Sequence, residues 1–86
     1  MSLKIDMEFR DSFKRISEME KDLPPDVLLR LYAYYKQAVK GDTFNVNKDE
    51  SDLRNAFKFN AWVQLKGMSE EEAKQEYINL ASEILK

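Results

Sequence analysis

The sequence contains no cysteine and no histidine, and it has only two glycines and two prolines in 86 residues. The first two absences exclude disulfides, Cys/His zinc sites, thiol nucleophiles and the usual general base at neutral pH. The scarcity of glycine and proline leaves few breakers of secondary structure, which favours long helices over many short strands. We therefore expect an all-α protein without catalytic residues and without a metal site.

Long apolar runs are also absent, since no stretch approaches the roughly 18 residues of a membrane span. Neither sign of charge dominates, because 14 Lys and Arg stand against 16 Asp and Glu, a formal net charge of −2. Such a chain lacks the overall field that would hold a nucleic acid, so any anion site has to be local. We expect no stable membrane insertion and no nucleic-acid partner. The segment 1–6 has no hydrophobic signal core, which predicts a cytoplasmic protein.

The overall composition of the chain is that of a small folded domain. Hydrophobic residues make up 43% and charged residues 35% of the chain, a globular rather than a disordered balance. A chain of this length buries only about 60–65% of the surface that its unfolded form exposes. We predict one domain, 1–86, with a single core.

The first two helices are marked by apolar periodicity and by their end signals. Helical spacing of Phe9 and Phe13 within an amphipathic pattern predicts a helix over about residues 7–21, with Asp6 as its N-cap. The second helix is predicted from Pro25, which suits a first helical position, to Lys40, with Gly41 as the C-cap. Its buried stripe is predicted to hold six residues: Leu28, Leu31, Tyr32, Tyr35, Ala38 and Val39.

The segment from Asp42 to Ser51 has no apolar periodicity and reads as a long surface connection, pinned to the bundle by Phe44 and Val46. A helix-to-helix connection longer than about 8 residues allows two helices to run in the same direction or to cross over. We therefore expect a four-helix topology other than simple up-down-up-down.

Two further helices complete the predicted bundle. The third is predicted to start at a Ser51 or Asp52 cap and to run to Lys66, where Gly67 ends it. Its apolar positions are Leu53, Ala56, Phe57, Ala61, Trp62 and Leu65. The fourth begins at a capping box, Ser69 to Glu72. Its predicted buried face is Ala73, Tyr77, Leu80, Ala81 and Ile84, and its predicted water-facing residues include Lys74 and Glu76.

One row of side chains on the second helix suggests a ligand. Tyr32, Lys36 and Lys40 follow each other at four-residue intervals and therefore lie on one side of the helix. Together they offer a hydroxyl, an aromatic surface and two ammonium groups, which suit a phosphate-bearing molecule.

Two segments of the chain resemble the signature of a known family. Residues 32–42 (YAYYKQAVKGD) and 58–69 (KFNAWVQLKGMS) are similar to the two signature segments of the acyl-CoA-binding proteins, and the likeness runs without gaps from about Glu8 onward. This resemblance implies a four-helix bundle of that family's type, with the long loop between helices 2 and 3. It also implies a carrier that binds and transports fatty acyl-CoA without catalysis, as a monomer and with no cofactor besides the bound ligand.

The resemblance assigns site residues as well. Tyr35 matches the family tyrosine that packs on the adenine ring. Tyr32 and Tyr77 match the family tyrosines that reach the region of the ribose 3′-phosphate. Lys36 and Lys58 match the cations on that phosphate. The positions of Leu28 and Leu29 line the family's acyl groove, with Leu29 favoured because it departs from the core stripe. Ser12, Phe13 and Ser17 match the ligand rim.

Simpler interpretations of these residues exist, and the sequence differs from the family pattern at several positions. The tyrosines could be ordinary core aromatics and the lysines ordinary surface cations, while Trp62 is predicted to be core only. Phe13 and Phe57 stand where relatives commonly carry alanine, so the groove could be narrowed or redirected. Relatives often carry a lysine at the position of Ser17, where Lys14 or Arg15 would have to substitute. Phe59 replaces a family tryptophan, and 47–50 replaces a Pro-Gly loop.

Two other function classes remain open at this point. Phe13 and Phe57 could fill the groove and leave a protein-interaction module that keeps the fold without the ligand. An enzyme accessory domain or a thioesterase would need a base or a nucleophile, and Glu70, Glu71 and Glu72 read as a capping cluster rather than as catalytic carboxylates.

Overall fold

A computed structural model describes residues 3–19, 22–42 and 53–86. This part of the chain forms four α-helices and no strand: α1 (Leu3–Glu18), α2 (Pro25–Lys40), α3 (Leu53–Val63) and α4 (Glu70–Ile84). The predicted all-α class and the four helices are confirmed. The expectations for Phe44, Val46, Ser51 and Asp52 lie outside the described residues.

Helix α1 begins and ends earlier than predicted. It starts at Leu3 instead of about residue 7 and ends at Glu18 instead of about residue 21. Asp6, predicted as the N-cap, lies within the first turn, and its carboxylate accepts a hydrogen bond from the Lys74 ammonium at 2.7 Å. This contact with α4 gives the carboxylate a partner other than the backbone of its own helix. Lys74 is accordingly half-buried, whereas the sequence pattern placed it in water.

The ends of α2 follow the local sequence signals. Pro25 occupies the first helical position, where its missing amide hydrogen costs no intrahelical bond. Gly41 follows Lys40 with φ 63° and ψ −141°, and its amide donates to the carbonyl of Gln37. A positive φ with this ψ is readily adopted by glycine alone, so the predicted stop is confirmed.

The buried face of α2 differs from the predicted stripe. Leu31 and Ala38 are buried as expected, but Leu28 and Val39 are about half exposed, at 51% and 50%. Ala33 and Gln37 are buried instead. Because α2 packs against both α3 and α4, its buried arc is wider than one stripe and includes a polar residue whose hydrogen bonds are satisfied.

Helix α3 ends at Val63, three residues before the predicted Lys66. Beyond it the chain tightens, since the amides of Leu65 and Lys66 each bond the carbonyl three residues earlier. Gly67 then adopts φ 94° and releases the chain toward α4. The predicted apolar face of α3 is only partly buried, because Trp62 is buried while Phe57 is 54% exposed.

Helix α4 starts at the predicted capping box. The Ser69 hydroxyl accepts from the Glu72 amide at 3.0 Å, and the Glu72 carboxylate accepts from the Ser69 amide at 3.3 Å. Three glutamates in the first turn meet the positive end of the helix dipole. Ala73, Tyr77 and Ala81 form its buried face. Leu80 and Ile84 are half-buried against the core.

Side-chain contacts fix the helix directions. Position numbers rise together in the α1–α4 pairs Asp6–Lys74 and Phe9–Tyr77, so these helices run in the same direction. They also rise together in the α2–α3 pairs Tyr32–Lys58 and Gln37–Trp62. Between α1 and α2 they run oppositely, since one cavity joins Asp6 to Val39 while Phe13 stacks on Tyr35. The order is up-down-down-up, in agreement with the expectation from the long connection.

Candidate functional site

Two ammonium groups from different helices meet at one aromatic ring. Lys36 Nζ on α2 lies 5.8 Å from the centre of the Tyr32 ring, and Lys58 Nζ on α3 lies 5.4 Å from the same centre. Tyr32 and Lys36 are neighbours because they are four residues apart on one helix. Lys58 reaches them because α2 and α3 run side by side in the same direction. The result is a local concentration of positive charge on a protein of net charge −2.

An apolar groove begins at Lys58. It has a volume of about 260 Å³ and is lined by five residues: Pro25, Leu28, Leu29, Phe57 and Lys58. Leu28 and Phe57 are about half exposed, at 51% and 54%, so both present apolar surface at the groove. Phe57 lines this groove as one wall and leaves the volume open. The groove thus joins an apolar surface to the cationic pair.

Tyr35 and Tyr77 belong to an aromatic cluster between α1, α2 and α4. Phe13 stacks on Tyr35 with 4.7 Å between ring centres, and Phe9 meets Tyr77 edge-on at 5.2 Å. A cavity of about 470 Å³ opens beside the cluster and is lined by nine residues: Asp6, Phe9, Arg10, Phe13, Tyr35, Ala38, Val39, Glu70 and Lys74. Phe13 is 40% exposed, so it lies at the surface of the cluster.

Tyr77 lies deeper than the other predicted site tyrosines. Its side chain is buried, whereas Tyr32 and Tyr35 are half-buried. Burial disfavours the phenolate and raises the pKa of Tyr77 to about 12, and the neighbouring Tyr35 adds to the rise. The raised pKa extends the range over which the hydroxyl stays neutral into alkaline solution. The assignment of Tyr77 to the ligand remains a prediction.

The residues of α1 that were predicted to form the ligand rim differ in their exposure and contacts. Ser12 is half-buried, and the Ser17 hydroxyl donates to the carbonyl of Phe13 at 2.8 Å. Arg15, one of the two candidates to replace the family lysine, pairs with Asp11 on the exposed side of the helix at 3.1 Å. Lys14 is exposed. Lys14 lines an open cavity together with Phe13 and Ser17, so its substitution for the family lysine stays a prediction.

The contacts of Trp62 and Gln37 were missed by the reasoning from sequence. The Trp62 indole nitrogen donates to the Gln37 side-chain oxygen at 3.0 Å and to the Gly41 carbonyl at 3.2 Å. The Lys36 ammonium lies 5.6 Å from the centre of the Trp62 ring. One available signal was that a buried indole N–H requires an acceptor. A glutamine next to the predicted site lysine could have supplied it.

No group of three or more metal-ligating side chains occurs among residues 3–19, 22–42 and 53–86. None of the four helices is long and apolar enough to cross a membrane.

Comparisons with known proteins identify the family and agree with the fold. The family model described as "Acyl CoA binding protein" matches residues 6–81. The acyl-CoA-binding protein of Saccharomyces cerevisiae is 36% identical over 77 residues, which cover 90% of this chain and 88% of the yeast protein. Enoyl-CoA delta isomerase 2 of Homo sapiens is 35% identical over 77 residues, 90% of this chain but only 20% of the human protein.

A solved structure has the same fold. The crystal structure of acyl-CoA-binding protein 2 of Oryza sativa superimposes with a TM-score of 0.84 at 27% sequence identity. The match covers 94% of this chain and 90% of the rice chain.

Proposed function

The chain belongs to the acyl-CoA-binding protein family, and on this premise we propose that it binds fatty acyl-CoA esters and carries them without chemical change. The single observation that carries the proposal is the continuity of the apolar groove with the paired ammonium groups of Lys36 and Lys58. Such a surface suits a molecule with an apolar chain and a phosphorylated head.

The head of the ligand is assigned to the cationic pair. Charge-assisted hydrogen bonds from ammonium to phosphate are stronger than neutral ones, and two cations on one phosphate add selectivity. Lys36 and Lys58 approach from different helices, so both can reach one anion beside the Tyr32 ring. This contact would distinguish an acyl-CoA from a free fatty acid, which carries no phosphate.

The acyl chain is assigned to the groove beside Leu28, Leu29 and Phe57. Each Å² of apolar surface withdrawn from water contributes roughly 25 cal/mol, both for the chain and for the half-exposed side chains that it covers. Occupation should also stabilise the fold by mass action, since the ligand binds only the folded state. Phe57 would then act as a wall of the groove and contribute to the choice of chain length.

The aromatic cluster is assigned to the base of the coenzyme. Tyr35 is half-buried beside an open cavity of about 470 Å³, and it can stack with a flat ring. Phe13 already stacks on Tyr35, so the base meets a Phe13–Tyr35 pair rather than an isolated tyrosine. The buried ring of Tyr77 packs against both members of the pair, with ring centres 6.4 Å from Phe13 and 6.5 Å from Tyr35.

The proposal includes the absence of catalysis, a monomeric state and a cytoplasmic location. The lack of cysteine and histidine supports a carrier over a thioesterase, because no usual nucleophile or neutral-pH base is available. A small single domain supports free diffusion between the sites where the ester is made and used. Light scattering during size-exclusion chromatography and cell fractionation would test the last two parts.

Isothermal titration calorimetry with palmitoyl-CoA tests the main proposal, with free palmitate and free coenzyme A titrated in parallel. We expect tight one-to-one binding of the ester and weaker binding of each control, because only the ester engages groove and cationic pair together. A thiol reagent added to the protein–ester mixture should detect no release of coenzyme A.

Two results would overturn the proposal. Absence of heat with palmitoyl-CoA and with a shorter acyl-CoA would indicate a module that kept the fold and lost the ligand. Steady release of thiol in proportion to protein concentration would indicate a thioesterase.

A further inference from the structure

The Lys36 ammonium lies close to the faces of two aromatic rings. It is 5.8 Å from the centre of Tyr32 and 5.6 Å from the centre of Trp62, both within the range in which a cation is attracted to the ring face. Tyr32 comes from the same helix as Lys36, whereas Trp62 comes from α3. Within the part of the chain that the structure describes, the Lys58 ammonium lies over the ring of Tyr32. The two lysines of the pair therefore have different surroundings.

The Trp62 ring is held in place by hydrogen bonds at its edge. Its nitrogen donates to Gln37 Oε1 at 3.0 Å and to the Gly41 carbonyl at 3.2 Å, and the ring is buried. Phe59 meets the indole edge-on, with ring centres 6.1 Å apart. These contacts fix both the position and the tilt of the indole face.

Gln37 is in turn held from two other directions. Its amide nitrogen donates to Asp42 Oδ1 at 2.8 Å and to the Met68 carbonyl at 2.7 Å. The Gln37 side chain is fully buried, so it depends on these partners rather than on water. The network thus connects α2, the turn after α2 and the segment before α4 to one indole ring.

We infer that Trp62 is a positioning residue that orders the Lys36 ammonium for the anionic head of the ligand. A free lysine side chain samples many rotamers, and binding an anion with it costs that freedom. A lysine already held over a fixed aromatic face loses less of it on binding. This inference rests on the proposed function, and it gives Trp62 a role in binding although it need not touch the ligand.

A double-mutant cycle tests the inference through acyl-CoA affinity. Trp62→Leu, which removes the aromatic face, should weaken palmitoyl-CoA binding about two- to fivefold in the wild-type background. The same loss should appear in a Lys58→Met background but should vanish in a Lys36→Met background, since the ordered cation is then gone. Trp62→Phe keeps a ring face but lacks the hydrogen bonds to Gln37 and Gly41, so its affinity should lie between those of the wild type and Trp62→Leu.

A measurement without ligand provides an independent check. In the wild-type protein, proton NMR should place the Lys36 ε-methylene signal upfield of the Lys58 signal, because two ring faces shield it. Trp62→Phe should retain most of this shift, and Trp62→Leu should reduce it. Should Trp62→Leu fail to fold, the wild type and Trp62→Phe still decide the matter.

The contrary results differ for the two proposals. Equal losses in all three backgrounds, or a Lys36 signal without the upfield shift, would overturn the role of Trp62 while leaving acyl-CoA binding intact. Wild-type protein that binds no acyl-CoA would overturn the proposed function itself.

Discussion

The side-chain amide of Gln37 donates to the backbone carbonyl of Met68 over 2.7 Å and so joins the end of α2 to the residue before the α4 cap. The same side chain accepts a hydrogen bond from the Trp62 indole and donates another to Asp42. A fully buried glutamine thus connects the end of α2 to Trp62 and Met68, which are 25 and 31 positions away in the sequence. Its hydrogen bond to Asp42, with the amide of Gly67, lowers the pKa of that carboxyl group.

Replacement of Gln37 by leucine should destabilise the fold by roughly 2–4 kcal/mol. The variant leaves the Met68 carbonyl without its amide donor and removes an acceptor of the Trp62 indole, and unpaired buried groups are costly. Urea denaturation followed by circular dichroism would measure the loss. Gln75→Leu is the matched control, since its amide bonds Asn79 on the exposed face of α4 and should shift stability by under about 0.5 kcal/mol. Equal losses in the two variants would contradict the role of the network.

The two glycines should differ in their tolerance of alanine. Both have positive φ, 63° at Gly41 and 94° at Gly67, so each substitution should cost about 1–2 kcal/mol of backbone strain. A Cβ at Gly41 would also lie 3.2 Å from Glu70 Oε2, whereas a Cβ at Gly67 meets nothing within 4 Å. Thermal unfolding should therefore give a lower Tm for Gly41→Ala than for Gly67→Ala. The reverse order would mean that backbone strain, and not the contact with Glu70, determines the loss of stability.

Stability should decline in alkaline solution because of Tyr77. Its pKa rises from 10.0 to about 12 on folding, so between these values the unfolded chain loses a proton that the folded chain keeps. The contribution is fully present below pH 10 and is lost as the pH rises through about 12, by an amount on the order of 1–3 kcal/mol.

Urea denaturation across this pH range would measure the decline in wild type and in Tyr77→Phe. The phenylalanine variant should show a shallower decline, because it lacks the titrating hydroxyl. Tyr34→Phe is the control, since it leaves Tyr77 in place and should keep the wild-type slope. Parallel curves for wild type and Tyr77→Phe would remove Tyr77 from this account.

Lys58→Ala should weaken acyl-CoA binding by at least about tenfold while leaving the helical circular dichroism unchanged. The variant removes one of the two cations at the Tyr32 ring, and with it a charge-assisted bond to the head of the ligand. Calorimetry with palmitoyl-CoA would measure the loss. Lys86→Ala removes the same charge from the exposed pair with Glu83 and should bind as wild type does. Unchanged affinity in Lys58→Ala would exclude this lysine from the site.

The helix ends that could be predicted are those set by local sequence signals. Pro25, Gly41 and the Ser69–Glu72 capping box act on the backbone within one turn, so the sequence predicted those helix ends correctly. The start of α1 was predicted too late because the partner of Asp6 is Lys74, 68 positions away. The end of α3 was missed because its last turn tightens gradually, without a breaker before Gly67.

The candidate site divides in the same way. The spacing of Tyr32 and Lys36 predicted that they would be neighbours, because four residues make about one helical turn. That Lys58 belongs beside them was implied by resemblance to a family, since periodicity does not say which residues of two helices meet. The resemblance gave Trp62 no role, and its contact with Lys36 emerged only from the packing of α3 on α2.

The amino-acid sequence by itself determined that the chain is helical, where α2 begins and ends, where α4 begins, and to which family the chain belongs. Those properties depend on local backbone chemistry and on motifs that are contiguous in the chain. The tertiary structure decided which faces are buried, turning Gln37 inward and Leu28 outward. It did so because burial depends on how many neighbours pack around a helix, and α2 has α3 and α4 on two sides.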